Sequence, residues 1–100
     1  MSSILFILLK SPYEYHSLEN LNKIAGNEKR AVVLFEDAVY FAVDKKKSTE
    51  LLDLVDKVYV IADDLHARGF GEQLAEGYQV IDYPAVVDLI MEEYDQTITL

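Results

Sequence analysis

The side chains best suited to chemistry crowd into one stretch, where Asp63, Asp64, His66 and Arg68 follow a buried-looking apolar run. Paired carboxylates can hold a divalent cation or work as an acid/base pair, imidazole can move a proton near neutral pH, and guanidinium can take a carboxylate bidentately. Further polar groups recur where other apolar runs end: Lys10 and Ser11, Glu36 and Asp37, Asp82 and Tyr83. If those ends share one edge, the carboxylates form a cluster able to take Mg²⁺. Each also has a structural reading. Asp37, one of the Asp63/Asp64 pair, and Asp82 all precede segments with helical spacing, where a carboxylate accepts from orphan backbone N–H groups. Capping therefore accounts for them without a ligand. Arg68 reads first as an ion pair with Asp63, Asp64 or Asp82, and second as an anchor for a partner's carboxylate.

Several chemistries are excluded outright. The chain has no cysteine, so disulfides, thiolate metal sites, thiol nucleophiles and persulfide carriage are beyond it. His16 and His66 lie in unrelated segments without a second ligand at regular spacing. No Gly-x-Ser-x-Gly turn exists, and Gly69-Phe70-Gly71 is a fragment of a phosphate-binding pattern that Glu72 would oppose. A pairing of His66 with Asp63 or Asp64 as acid and base is the weakest catalytic reading. No self-sufficient active site is expected.

With 18 acidic and 9 basic side chains the net charge is −9, which disfavours direct nucleic-acid binding and suits a basic protein partner. Lys45-Lys46-Lys47, flanked by Asp44 and Glu50, reads as a solvated turn. The longest apolar run, Ile4 to Leu9, is far below the roughly 20 residues of a membrane span. It also lacks the flanks of a signal peptide, so a cytoplasmic location is expected.

The elements that must position these groups alternate. Residues 3–9, 31–35, 58–62 and 78–81 read as buried strands, with 97–99 as a short edge strand. Pro12 breaks the chain after the first, Ser17 caps a helix carrying Leu18, Leu21, Ile24 and Ala25, and Gly26 ends it. Residues 38–43 fit a strand by composition or a helix started by Asp37. The helical segment expected at 48–55 favours helix. Asp63 or Asp64 should cap a helix from Leu65, closed by Gly69 in the left-handed conformation, and residues 70–77 read as a loop or one loose turn. Asp82 and Pro84 should start a last helix with Val86, Val87, Ile90, Met91 and Tyr94 on one face. One hundred residues then make one α/β domain, a three-layer sandwich whose mainly parallel four- to five-stranded sheet has helices on both faces.

Four segments, Lys10-Ser11-Pro12-Tyr13, Leu34-Phe35-Glu36-Asp37-Ala38, Asp64-Leu65-His66-Ala67-Arg68-Gly69-Phe70 and Val80-Ile81-Asp82-Tyr83, resemble in order and spacing the motifs of the DsrH/TusB family. The resemblance implies a DsrE-like fold and a small non-catalytic subunit of a cytoplasmic sulfur-relay complex with DsrE/TusD-like and DsrF/TusC-like partners, serving tRNA 2-thiouridine synthesis or sulfur oxidation. It implies no cofactor. Its motif residues here, Ser11, Pro12, Tyr13, Glu36, Asp37, Asp64, Arg68, Gly69, Asp82 and Tyr83, become interface candidates, and Tyr13 and Tyr15 could anchor a contact. Some family members carry a cysteine in the first helix, and the matching register here is Leu21. Ala38 replaces the usual glycine, and the family's carboxyl-terminal tryptophan is missing from Ile98-Thr99-Leu100. A stand-alone homo-oligomer binding a small ligand or metal at the same edge is the competing reading.

Overall fold

Continuous β-branched and aliphatic runs suit strands buried on both faces, and the chain uses them for the interior of a parallel sheet. In a computed structural model, which describes residues 3–11, 18–71, 74 and 76–100, the strands are β1 (Ser3–Leu8), β2 (Lys29–Leu34), β3 (Lys57–Ile61), β4 (Tyr78–Ile81) and β5 (Gln96–Thr99). Their order is β4-β3-β2-β1-β5, and every neighbouring pair is parallel. The connections are α1 (Leu18–Ala25), a 3₁₀ turn (Glu36–Val39) leading into α2 (Tyr40–Val43), α3 (Lys45–Leu52), α4 (Ala62–Ala67), and α5 (Tyr83–Asp88) continued by a π-helical turn (Leu89–Glu93).

Crossover handedness distributes these helices. From β1 to β4 each strand is laid down beside the last in one direction, so right-handed crossovers put α1 to α4 on one face. The return from β4 to β5 reverses direction and puts α5 on the other. The two cores agree. Leu21, Ala25, Phe41, Leu51 and Leu65 pack with Phe6, Leu8, Val32, Leu34, Val58 and Val60, whereas Val86 and Leu89 pack with Leu5, Ala31, Val33, Tyr59 and Ile61. The three-layer α/β sandwich is thus the architecture found, with its helices divided unequally.

Local boundaries differ from the expected ones for identifiable reasons. The helix expected at 48–55 begins at Lys45, because Asp44 accepts from the N–H groups of Lys46 and Lys47 at 3.1 and 3.0 Å. The triple lysine is therefore the first turn of α3, not a solvated turn. Residues 38–43 are helical, but Asp37 does not cap them: the segment starts one residue after Phe35, with no side-chain cap. Likewise α4 begins at Ala62, directly out of β3, with Ile61 at its N-cap and no capping side chain. Asp82 does cap α5, accepting from Ala85 N–H at 3.0 Å. Ser17, the loop Pro12-Tyr13-Glu14-Tyr15-His16, and Glu72, Gln73 and Ala75 lie outside the described residues.

At Gly77 the backbone conformation disfavours a side chain. Its φ is +97°, and a Cβ there would stand 2.9 Å from Leu52 Cδ2. The next residue, Tyr78, donates its hydroxyl to the Ser48 carbonyl at 2.8 Å, tying β4 to α3, and burial raises its pKa well above 10.0. Below pH 10 the phenol is protonated whether the chain is folded or not. Above it the unfolded chain ionises while the folded one keeps its proton, so stability falls as pH rises. Tyr94, raised chiefly by burial and by its hydrogen bond to Tyr59, acts in the same direction. Tyr78→Phe should accordingly flatten the fall in melting temperature between about pH 9 and about pH 11. An unchanged slope would remove Tyr78 from the explanation.

Candidate functional site at the carboxyl edge of the sheet

The carboxyl ends of β2, β3 and β4 bring Glu36, Asp37, Asp64, Arg68 and Tyr83 together, as the α/β rule for strand ends anticipates. Asp64, in the first turn of α4, holds two segments at once. Its Oδ2 accepts from the Glu36 N–H at 2.7 Å, and its Oδ1 accepts from the Tyr83 hydroxyl at 2.9 Å. It bridges the exits of β2 and β4 instead of capping its own helix. The Phe35 and Tyr83 rings lie 6.0 Å apart, adding an apolar contact between the same two exits.

Glu36 adopts φ +49°, the left-handed region, and it is the non-glycine residue with that sign among those described. A side chain there costs about 1–2 kcal/mol, so the conformation persists because the surroundings impose it. Asp64 supplies the restraint. The turn aims the next residue, Asp37, at Arg68.

Arg68 pairs with Asp37, not with Asp63, Asp64 or Asp82. Its Nε and Nη2 both donate to Asp37 Oδ1, at 3.0 and 2.9 Å, and its Nη1 donates to the Asp64 carbonyl at 3.1 Å. The guanidinium is thereby fixed by two elements, and Gly69 at φ +80° turns the chain immediately after it. With the Asp37 side chain 53% exposed, water screens the pair, and its contribution to stability is modest, about 1 kcal/mol at most.

The electrostatics follow. The Tyr83 hydroxyl is raised above its ordinary pKa, first by its hydrogen bond to Asp64, then by desolvation and by the charges of Asp64, Asp63 and Glu36. It stays a donor at neutral pH. Asp63 and His66 are exposed on α4 and Lys10 is exposed after β1, whereas Ser11 is buried. Pro12 and Tyr13 lie outside the described residues. No group of three or more His, Asp or Glu among the described residues is placed to hold a metal ion; Asp37, Asp64 and Asp82 are engaged by guanidinium, N–H and O–H partners. An open depression of about 420 Å³ lies at the opposite edge, among Gly26, Asn27, Lys29, Arg30, Leu54 and Asp56, away from the motif residues.

The edge missed by local reading is the Asp64 bridge. Its one sequence signal was two adjacent aspartates, of which capping could use only one.

A five-stranded parallel sheet with this order, and a polar latch of Glu36, Asp37, Asp64, Arg68 and Tyr83 across its carboxyl edge, defines a small α/β protein of the DsrE-like fold. The family description "DsrH like protein" matches residues 10–96. The chain belongs to the DsrH family, a family of sulfur-relay subunits. Among solved structures it is similar to the ychN protein from E. coli, with a TM-score of 0.78, 18% identity and 100% of both chains covered. It is similar also to MTH1491 from Methanobacterium thermoautotrophicum, a protein of unknown function, with a TM-score of 0.72, 18% identity and the same coverage. These two likenesses establish the fold. No curated protein matches. No helix among the described residues is long and apolar enough to cross a membrane.

Proposed function

We propose that this chain, acting as one DsrH-like domain over residues 1–100, is a non-catalytic cytoplasmic subunit of a sulfur-relay complex. It supports persulfide transfer between cysteines of DsrE/TusD-like and DsrF/TusC-like subunits, on the way to 2-thiouridine in tRNA or within sulfur oxidation. The carrying observation is family membership in a chain without cysteine. Leu21, at the register where some relatives hold a cysteine, is fully buried in the helical core, so the position has been given to packing.

In this reading the carboxyl edge is a docking edge. The latch holds Glu36, Asp37 and Tyr83 in fixed, exposed positions, and Ser11, Pro12, Tyr13, Gly69 and Asp82 are the other motif residues assigned to the interface in this reading. Fixed polar groups suit partner selection, because little side-chain freedom remains to be lost on binding.

Reconstitution with the cysteine-bearing subunits and radiolabelled persulfide tests this. Adding the chain should raise transfer between the partner cysteines at least several-fold while this chain acquires no label. Unchanged transfer in a complex containing it would sink the proposal. Leu21→Cys should not gain relay activity, since a thiol buried there is shielded from attack. Rapid labelling of that thiol by a maleimide in the folded protein would contradict the buried assignment.

A further inference from the structure

The return crossover leaves one helix to cover a face that five strands present. A helix with its side chains is about 10–12 Å across, while five strands spaced about 4.8 Å apart span roughly 20 Å. Leu5, Val33, Tyr59 and Ile61 are buried beneath α5 and its π-helical turn. Toward β5 the cover thins: Ile7 is half-buried, and Thr99, its register partner, is exposed.

The outer side of the same helix carries Tyr83, Val87 and Met91, spaced four apart and 43%, 57% and 77% exposed. Scattered exposed apolar groups are ordinary. A row of three on the helix that covers this face is, among the described residues, a stripe left exposed to solvent.

Charge identifies the occupant. After Arg68 the sequence contains no lysine, arginine or histidine, and every charged side chain is acidic. Asp88, Glu92, Glu93 and Asp95 are exposed around the stripe. A second copy docking by a two-fold axis would set these carboxylates against themselves, which is unfavourable. A surface offering an apolar pocket with a lysine or arginine rim satisfies both halves of the patch.

We infer that the outer face of α5 and its π-helical turn is a docking surface for a partner subunit with a basic-rimmed apolar pocket, anchored by Val87 and Met91. This rests on the reading of the chain as a relay-complex subunit. It adds a second contact face, which adjoins the carboxyl edge at Tyr83 and runs away from it along Val87 and Met91.

The test uses the full chain co-expressed with the DsrE-type and DsrF-type subunits of its own genome, read by native mass spectrometry and hydrogen exchange. The wild-type chain should enter a complex that weakens with salt and protects residues 83–95 from exchange. Val87→Asp with Met91→Asp should lower the incorporated fraction about tenfold, and Glu92→Lys with Glu93→Lys should lower it and flatten the salt dependence. Lys45→Glu with Lys46→Glu, on the opposite layer, should leave incorporation intact. All six substituted side chains are exposed, so unchanged melting temperatures will show that folding is preserved.

Incorporation of the Val87/Met91 variant at the wild-type level, or protection confined to other residues, overturns the surface while the subunit reading stands. A wild-type chain that joins neither subunit overturns the subunit reading and this inference with it. A dimer of the isolated chain broken by the same substitutions overturns the basic partner in favour of a second copy.

Discussion

Phe41→Ala is expected to lower the free energy of unfolding by about 3–5 kcal/mol, the range for truncating a fully buried aromatic. Phe41 is completely buried, on the four-residue helix α2, which no side chain caps. So short a helix has negligible stability of its own and is held by what it buries. Phe41 packs into the same core as Phe6, Leu8 and Leu34. Removing it leaves a cavity beneath the segment that carries Asp37, and the effect should spread to the site: the Asp37–Arg68 pair should loosen before the sheet does. Urea unfolding gives the first number and native-state hydrogen exchange the second. A loss below about 1 kcal/mol would show that the site collapses to fill the cavity.

Asp64→Ala is expected to cost about 2 kcal/mol, most of it from the Glu36 N–H. That bond is short and charge-assisted, and such bonds contribute about 1.5–3 kcal/mol. The exposed Tyr83 hydroxyl contributes less, so Tyr83→Phe should cost under about 1 kcal/mol. Glu36→Gly provides the complementary experiment. It removes the side chain from a left-handed position and should stabilise by about 1 kcal/mol, net of the glycine's greater freedom when unfolded. If Asp64 is what enforces the turn, the two changes will not add, and Glu36→Gly will recover part of the Asp64→Ala loss. Strict additivity would show that the turn is imposed by something else.

Both predictions depend on contacts that a local reading misassigned. Local reading gives Asp37, one of the Asp63/Asp64 pair, and Asp82 to helix caps, because a carboxylate before a helical run is usually used that way. Only Asp82 is. Asp64 reaches back to Glu36 and across to Tyr83, and Arg68 reaches Asp37, partners separated by 28, 19 and 31 residues. Glu36, Asp37, Asp64, Arg68 and Tyr83 nevertheless converge on one edge, which the rule for strand ends predicts once strands are recognised. At Lys45-Lys46-Lys47 the error had another source: three like charges resemble a turn, yet Asp44 captures two of their N–H groups and starts a helix against the unfavourable dipole.

Elementary chemistry along the chain settles a good deal. Buried β-branched runs alternating with helical segments require a parallel sheet in layers, and the absence of cysteine removes thiol and persulfide chemistry whatever the fold. Pairing between charges does not follow from either. It is set by strand order, by the handedness that sends α1 to α4 to one face and α5 to the other, and by the register that sets the ends of β2, β3 and β4 side by side. Which carboxylate meets which donor, and which helix is left with an uncovered outer face, are properties of that arrangement, because hydrogen bonds and burial act over ångströms in space and not over positions in the chain.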